Sequence, residues 1–252
     1  MRIADVAALV TGAASGLGGA TASALAAKGA TVFGLDLPQA IEKAPEVDGV
    51  IYVAADVTNP EQVAAAVEQA SSGDKPLRIT VNCAGIGTAG RVLSKKGPHD
   101  LDLYRKIIEV NLIGTFNVLR LAADAITKTG PLDDDARGVI VNTASIAAFD
   151  GQVGQVAYSS SKGGVVGLTL PAARDLAQFG IRVMTIAPGI VDTPMLAGVT
   201  EEFRATLSSG VPFPKRLARP DEYAQLVVDI AEHDYLNGEV IRMDGALRMA
   251  PR

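Results

Sequence analysis

Tryptophan is absent from this sequence, cysteine occurs once, at Cys83, and histidine twice, at His99 and His233. A single cysteine cannot close an internal disulfide, and in its apolar context Cys83 reads as a small buried residue. Two histidines in polar surroundings, remote in sequence from any Cys/His partner, leave neither a zinc site nor a histidine-based triad its residues. Long basic blocks are missing too. The largest is the pair Lys95-Lys96, and 23 Lys plus Arg stand against 28 Asp plus Glu, a net charge of -5. Nucleic acid is therefore not the expected partner. No run reaches 18 apolar residues, so no membrane span is expected. The amino terminus enters a strand pattern without a charged leader, and the expected compartment is the cytoplasm.

What is present is alternation. Short apolar runs (7–11, 31–36, 50–56, 79–82, 139–142, 181–186 and 239–243) are separated by longer stretches of helical period at about 16–28, 60–72, 101–128, 156–178 and 220–232. Pro60 and Pro220 suit first helical turns, while Gly29 and Gly180 follow helix ends. Such alternation predicts an α/β fold, a doubly wound parallel sheet of about seven strands with helices on both faces. A chain of 252 residues buries enough surface for one core, and no linker divides it, so a single domain over 1–252 is expected.

The first strand runs into Val10-Thr-Gly-Ala-Ala-Ser-Gly-Leu-Gly. Glycines at 12, 16 and 18, with Ser15 and Leu17 between them, let the backbone turn tightly and approach a pyrophosphate facing the next helix. The second strand ends at Asp36, where a carboxylate binds ribose hydroxyls and repels a 2′-phosphate. With Leu37 beside it and no basic residue in the loop, NAD is favoured over NADP. Later strands end at Asp56-Val57 and at Asn82-Cys-Ala84-Gly85, which suit an adenine pocket and close backbone contact but equally suit turns. Asn111 lies in an otherwise apolar helix and must find partners. Either a structural asparagine or a helix kink holding an ordered water accounts for it.

Tyr158 and Lys162, four apart on a predicted helix, share one face. An ammonium about 5 Å from a phenol favours the phenolate by roughly 3 kcal/mol at a dielectric near 20. That effect is expected to bring a pKa of about 10 down toward 7–8, suited to a general base. Ser145 closes the apolar run from Gly138 at a strand's carboxyl end, where open α/β sheets hold ligands. There its hydroxyl is placed to donate to a substrate oxygen.

With the glycine loop, Asp36, Asp56, Asn82-Cys-Ala-Gly85, Asn111, Ser145, Tyr158, Lys162 and Pro188-Gly189 in this order, the chain resembles the short-chain dehydrogenase/reductase family over nearly its whole length. The resemblance implies a Rossmann-type fold. It also implies Tyr158 as acid/base, Ser145 orienting the substrate oxygen, Lys162 holding the nicotinamide ribose, and Asn111 supporting a water through which the proton leaves. Val191 and Thr193 are then expected at the nicotinamide, with Thr193 on its carboxamide.

The segments 151–155, 163–176, 181–189 and 236–246 further resemble the type 10 17β-hydroxysteroid dehydrogenase subgroup, also called type II 3-hydroxyacyl-CoA dehydrogenase. This likeness implies NAD-dependent interconversion of 3-hydroxyacyl-CoA and 3-oxoacyl-CoA in fatty acid metabolism. Lys95 and Lys96 in the insertion 91–99 are either coenzyme A contacts or solvated loop lysines, and Gln155 is expected to line the acyl pocket. Residues 190–218, with Phe203, Val211 and Phe213, suit a substrate lid, a plain surface loop being the competitor. Helices 101–128 and 156–178 are apolar around most of their girth, which predicts burial against another subunit, as in the family's dimers and tetramers, here a homotetramer, burial of one of them inside the monomer being the alternative. The rivals are a steroid or secondary-alcohol dehydrogenase, a 3-oxoacyl-carrier-protein reductase, which Asp36 disfavours, and a non-catalytic nucleotide-binding regulator, which the intact Tyr158 and Lys162 disfavour.

Overall fold

The computed structural model describes residues 1–196, 198 and 200–251, apart from the side chains of Met195 and Phe203. In chain order the elements are β1 (Ala7–Thr11), α1 (Gly16–Ala27), β2 (Thr31–Asp36), α2 (Pro38–Ile41), β3 (Val50–Ala54), α3 (Pro60–Ser71) and β4 (Leu77–Asn82). The hairpin β5 (Leu93–Ser94) and β6 (Gly97–Pro98) leads to α4 (Leu101–Ile108), a π turn at Glu109–Ile113 and α5 (Gly114–Thr127). The second half contains β7 (Gly138–Thr143), α6 (Val156–Ala177), β8 (Ile181–Pro188), α7 (Glu201–Ser209), α8 (Pro220–Glu232) and β9 (Val240–Met243).

Seven strands form one parallel sheet in the order β3-β2-β1-β4-β7-β8-β9. The expected fold class is what the chain adopts. Every residue of β1, β4 and β7 is buried, because helices cover both faces of these central strands. Alternate side chains feed two cores. Ala8, Val10, Ile79, Val81, Val139 and Val141 meet α1 and α8, while Ala7, Leu9, Leu77 and Ile140 meet α3, α5 and α6.

The order reverses at β1/β4, so the carboxyl ends of these strands open onto a crevice at the topological switch point. Helix starts follow local chemistry. Asn59 accepts from the Gln62 amide at 3.0 Å ahead of Pro60, and Asp100 accepts from the Asp102 amide at 2.9 Å. The predicted helix 101–128 is interrupted by a π turn at Glu109–Ile113, with the buried Asn111 inside it. Helix α7 lies where a lid or an irregular loop was expected, and the Phe203 side chain in it falls outside those described. The base of that 190–218 excursion is closed by a bridge between Val191 and Ala218. No helix among the described residues is long and apolar enough to cross a membrane.

Candidate active site

The glycine loop has the geometry that its residues allow. Gly12 and Gly16 adopt φ of +67° and +56°. A Cβ on Gly18 would stand 2.2 Å from the Gly12 carbonyl oxygen, so nothing larger lets α1 start this close to β1. Ser15 is exposed at the head of α1, with no side-chain capping bond. The carboxylate of Asp36 accepts from the Ala14 amide at 3.0 Å and from the Leu37 amide at 2.8 Å, which ties the loop to the end of β2. Thr193 reaches the same loop: its Cβ and Cγ2 lie 3.7 Å from where a Cβ on Gly16 would be. This cradle fits a dinucleotide, since backbone comes close at the glycines and a helix N-terminus points into it.

The other strand ends contribute mostly backbone. Asp56 is oriented by the amide and hydroxyl of Thr58, at 2.9 and 2.7 Å. Val57 turns its side chain into the core, and its carbonyl accepts from Asn117 at 2.9 Å. Asn82 is buried, and its amide group donates to Asn142 across the sheet at 2.9 Å, so what it offers the crevice is main chain. The amides of Cys83 and Ala84 both donate to Thr11 Oγ1, at 3.1 and 3.0 Å. Gly189, after Pro188, lacks space for a Cβ, which would fall 2.9 Å from Asp244 Cα. Val191 is buried at the base of the 190–218 excursion.

Asn111 is completely buried and holds the chain after Gly85. Its Oδ1 accepts from the Ile86 amide at 2.8 Å, and its Nδ2 donates to the Ile86 carbonyl at 2.9 Å and to Ser161 Oγ at 3.0 Å. A Cβ on Gly85 would lie 3.2 Å from Asn111 Oδ1 and 3.6 Å from Lys162 Nζ, which brings all three together. Thr115 Oγ1 donates to the Asn111 carbonyl at 2.8 Å, one turn earlier.

Ser145, Tyr158 and Lys162 converge as the spacing implied. Ser145 Oγ accepts from the Ala147 amide at 3.1 Å, and Ser145 stands near enough to the Tyr158 phenol to pull its pKa down. Lys162 Nζ lies 5.8 Å from the Tyr158 ring centroid and donates to the Thr143 carbonyl at 2.7 Å. One expectation is corrected here. The protein's own groups leave the phenol above its ordinary pKa, because burial outweighs the lowering by Ser145. Lys162 is itself so buried that its pKa falls from 10.5 to about 8, and its ammonium is turned to the Thr143 carbonyl. The estimate from spacing placed a full charge beside a solvated phenol and left out the desolvation of both partners.

A cavity of about 500 Å³ adjoins the catalytic helix, lined by the 90–93 loop, the 151–154 turn, Val156 and Ser159. Exposed Val92, Leu93 and Val153 give it an apolar wall. Gln155 is not part of that wall: its side chain accepts from the Gln152 amide at 3.0 Å and so closes the turn that starts α6. Lys95 and Lys96 are exposed at the tip of the β5–β6 hairpin. A brace that sequence reasoning missed holds the floor. Arg242 Nη2 donates to Asp150 at 2.6 Å, its Nε donates to Asp244 at 2.7 Å, and its guanidinium stacks 5.2 Å from the Phe149 ring. The tail adds two bonds, from Gln152 Nε2 to the Ala250 carbonyl and from the Val153 amide to the Pro251 carbonyl. Paired Arg and Asp at distant positions carry no local signal.

A parallel doubly wound sheet with a glycine cradle and a Ser-Tyr-Lys set at its crevice defines a nicotinamide-dependent oxidoreductase, and the chain belongs to the short chain dehydrogenase family, whose model matches residues 6–203. Among its relatives, the Drosophila melanogaster protein "3-hydroxyacyl-CoA dehydrogenase type-2" is 53% identical over 248 residues, 96% of this chain and 97% of that one. The Homo sapiens protein of the same name is 51% identical, covering 97% and 95%. In three dimensions the chain is similar to the crystal structure of 3-hydroxyacyl-CoA dehydrogenase type-2 from Mycobacterium avium, with a TM-score of 0.92, 42% identity and 98% of each chain covered.

Proposed function

We propose that this chain is an NAD-dependent dehydrogenase of 3-hydroxyacyl-CoA thioesters, run in reverse as a 3-oxoacyl-CoA reductase. The observation that carries the chemistry is the convergence of Ser145, Tyr158 and Lys162 beside a crevice whose cradle ends in Asp36. The thioester class follows from about half of all residues being shared with relatives of that name over nearly full length. An apolar cavity of about 500 Å³ beside the catalytic helix suits an acyl chain. The exposed hairpin lysines 95 and 96 would meet the phosphates of coenzyme A, and residues 190–218 would serve as the substrate lid.

Asp36 would hold the adenine ribose hydroxyls and reject a 2′-phosphate, which selects NAD. Gly12, Ser15, Gly16, Leu17 and Gly18 would carry the pyrophosphate, and Asp56, Val57, Asn82, Ala84 and Gly85 the adenine side. Pro188, Gly189, Val191, Thr193 and Lys162 would hold the nicotinamide end. When bound, the nicotinamide supplies the hydride acceptor and a positive charge near the phenol. Ser145 donates to the substrate oxygen, and Tyr158 takes the hydroxyl proton during oxidation or returns it during reduction. Asn111, through the kink it anchors, keeps Lys162 and the proton exit in place. Since the phenol must lose its proton to act as the base, and burial raises its pKa, oxidation accelerates as pH rises.

The exposed apolar residues Ile113, Phe116 and Leu170 on α5, its π turn and α6 support assembly through these helices into a homotetramer. The single thiol, Cys83, unpaired and half-buried at the end of β4, suits a reducing, cytoplasmic setting. An absorbance assay at 340 nm with NAD or NADP against acetoacetyl-CoA, 3-hydroxybutyryl-CoA and a secondary alcohol tests the reading. Turnover of the thioesters with NAD is expected. A strong NADP preference refutes the role of Asp36, and silence toward both thioesters refutes the substrate class.

A further inference from the structure

Lys162 is buried, and its ammonium donates to a main-chain carbonyl, that of Thr143, at 2.7 Å. No carboxylate among the described residues lies within ion-pair distance of it. The titratable groups that face it are Tyr158 on its own helix and Cys83 at the end of β4. What holds Thr143 therefore decides how well the lysine is held.

Thr143 belongs to a closed ring of hydrogen bonds drawn from three elements. Its Oγ1 donates to Cys83 Sγ at 3.6 Å, Cys83 Sγ donates to the Tyr223 hydroxyl at 3.7 Å, and Tyr223 returns to Thr143 Oγ1 at 2.6 Å. Run in this direction, each group donates once and accepts once, the arrangement in which neighbouring bonds strengthen one another. Tyr223 comes from α8, Cys83 follows β4 and Thr143 ends β7. The next residue, Ala144, still bonds its amide to the Ile186 carbonyl at 2.8 Å, so the ring acts at the last residue before the chain leaves the sheet.

Tyr223 is fully buried among Ala224, Val227 and Val228. Phenylalanine would fill the same volume without a hydroxyl to desolvate, and a buried hydroxyl costs stability unless it is bonded. Its partner is the one residue whose carbonyl receives the active-site lysine.

We propose that Tyr223, acting through Thr143 and Cys83, is a positioning residue that aims the Thr143 carbonyl at Lys162 and so sets the proton affinity of the lysine. The proposal rests on the reading of Lys162 as the active-site lysine. Without the ring, Thr143 loses its side-chain tie to α8, the end of β7 is held by the sheet bond of Ala144 alone, the carbonyl shifts away from the ammonium, and the buried charge is less well stabilised. The lysine then loses its proton at lower pH, and the pH limb of oxidation moves upward because the charge that favours the phenolate is gone sooner.

The test is a titration of Lys162 by NMR in protein carrying ¹³Cε-lysine, with the resonance assigned by Lys162→Met, in wild type, Tyr223→Phe, Thr143→Val and Cys83→Ser. In both Tyr223→Phe and Thr143→Val the midpoint is expected to fall by about half a pH unit, a roughly threefold loss of proton affinity. Cys83→Ser, whose shorter side chain leaves its oxygen out of reach of both partners, keeps only the direct Tyr223–Thr143 bond of 2.6 Å, and its midpoint falls less than in Tyr223→Phe. A midpoint unmoved in a folded Tyr223→Phe protein, with only the melting temperature lowered, overturns the proposal. Thr143→Val decides it in the same way should Tyr223→Phe fail to fold. Because the titration needs no substrate, it stands apart from the thioester assay, whose failure would refute the substrate class alone.

Discussion

Replacing Lys162 with methionine should remove activity and yet make the protein more stable. The lysine is buried without a counter-charge, and its pKa is lowered from 10.5 to about 8. A group whose folded pKa lies below its unfolded value destabilises the fold where it must be charged, which here means below pH 8. Stability is then recovered as pH rises from about 8 to 10.5. At about 1.4 kcal/mol per pH unit, the lowering corresponds to ~3 kcal/mol of lost stability at pH 7. Methionine keeps the length of the stem but leaves the Thr143 carbonyl without its 2.7 Å donor, which returns ~1 kcal/mol of that gain. A net stabilisation of ~2 kcal/mol is expected, or about 5 °C in melting temperature for a chain of this size. Urea unfolding at pH 7 and near pH 10 measures both values. The wild type should gain on its variant as pH rises, and the gap should close. A variant less stable than wild type at pH 7, or a gap independent of pH, would refute the assignment of Lys162 as a buried, strained charge.

Tyr158→Phe should reduce turnover by at least about a thousandfold while leaving NADH binding, followed by fluorescence, near wild type. Gly18→Ala should abolish cofactor binding, since its methyl meets the Gly12 carbonyl oxygen at 2.2 Å; a variant that still binds NADH normally would contradict the cradle. Asp36→Ser with Leu37→Arg should move the cofactor preference toward NADP by ten- to a hundredfold in kcat/KM, consistent with ~1–3 kcal/mol for a charge-assisted contact. Glu222, held down to about 2 by Arg216 from an ordinary 4.5, contributes stability that is present above pH 4.5 and lost as pH falls toward 2. Glu222→Gln should flatten that limb in an acid-denaturation series. Phe116→Glu should dissociate the assembly in analytical ultracentrifugation, and a variant with the wild-type mass would remove these helices from the interface.

Much of the site was legible because its residues are close in sequence to the elements that carry them. Tyr158 and Lys162 share a helix face by period alone, the glycines lie on one loop, and Asp36 ends one strand. Helices α1, α3, α6 and α8 fall within a residue of their expected ends, since Pro60, Pro220 and Gly29 mark boundaries locally. Asn111 announced itself as a polar residue in an apolar helix, and the structure answers with a π turn and a clamp on Ile86. The bond from Gln155 to Gln152 was not legible, because it belongs to a turn tied across the fold by the bridge between Gly90 and Gln155. The Arg242–Asp150 pair and the ring of Cys83, Thr143 and Tyr223 join residues between 60 and 140 positions apart, which no window along the chain can see.

The order of apolar runs, breakers and chemical groups by itself determined the class of fold, the glycine crevice and which tyrosine and lysine share a helix face, because each is a matter of period and neighbourhood along the backbone. Only the folded chain decided how acidic that pair is. Proton affinity depends on how much water is removed and on which carbonyl faces the ammonium, and both are set by residues brought together across the sheet.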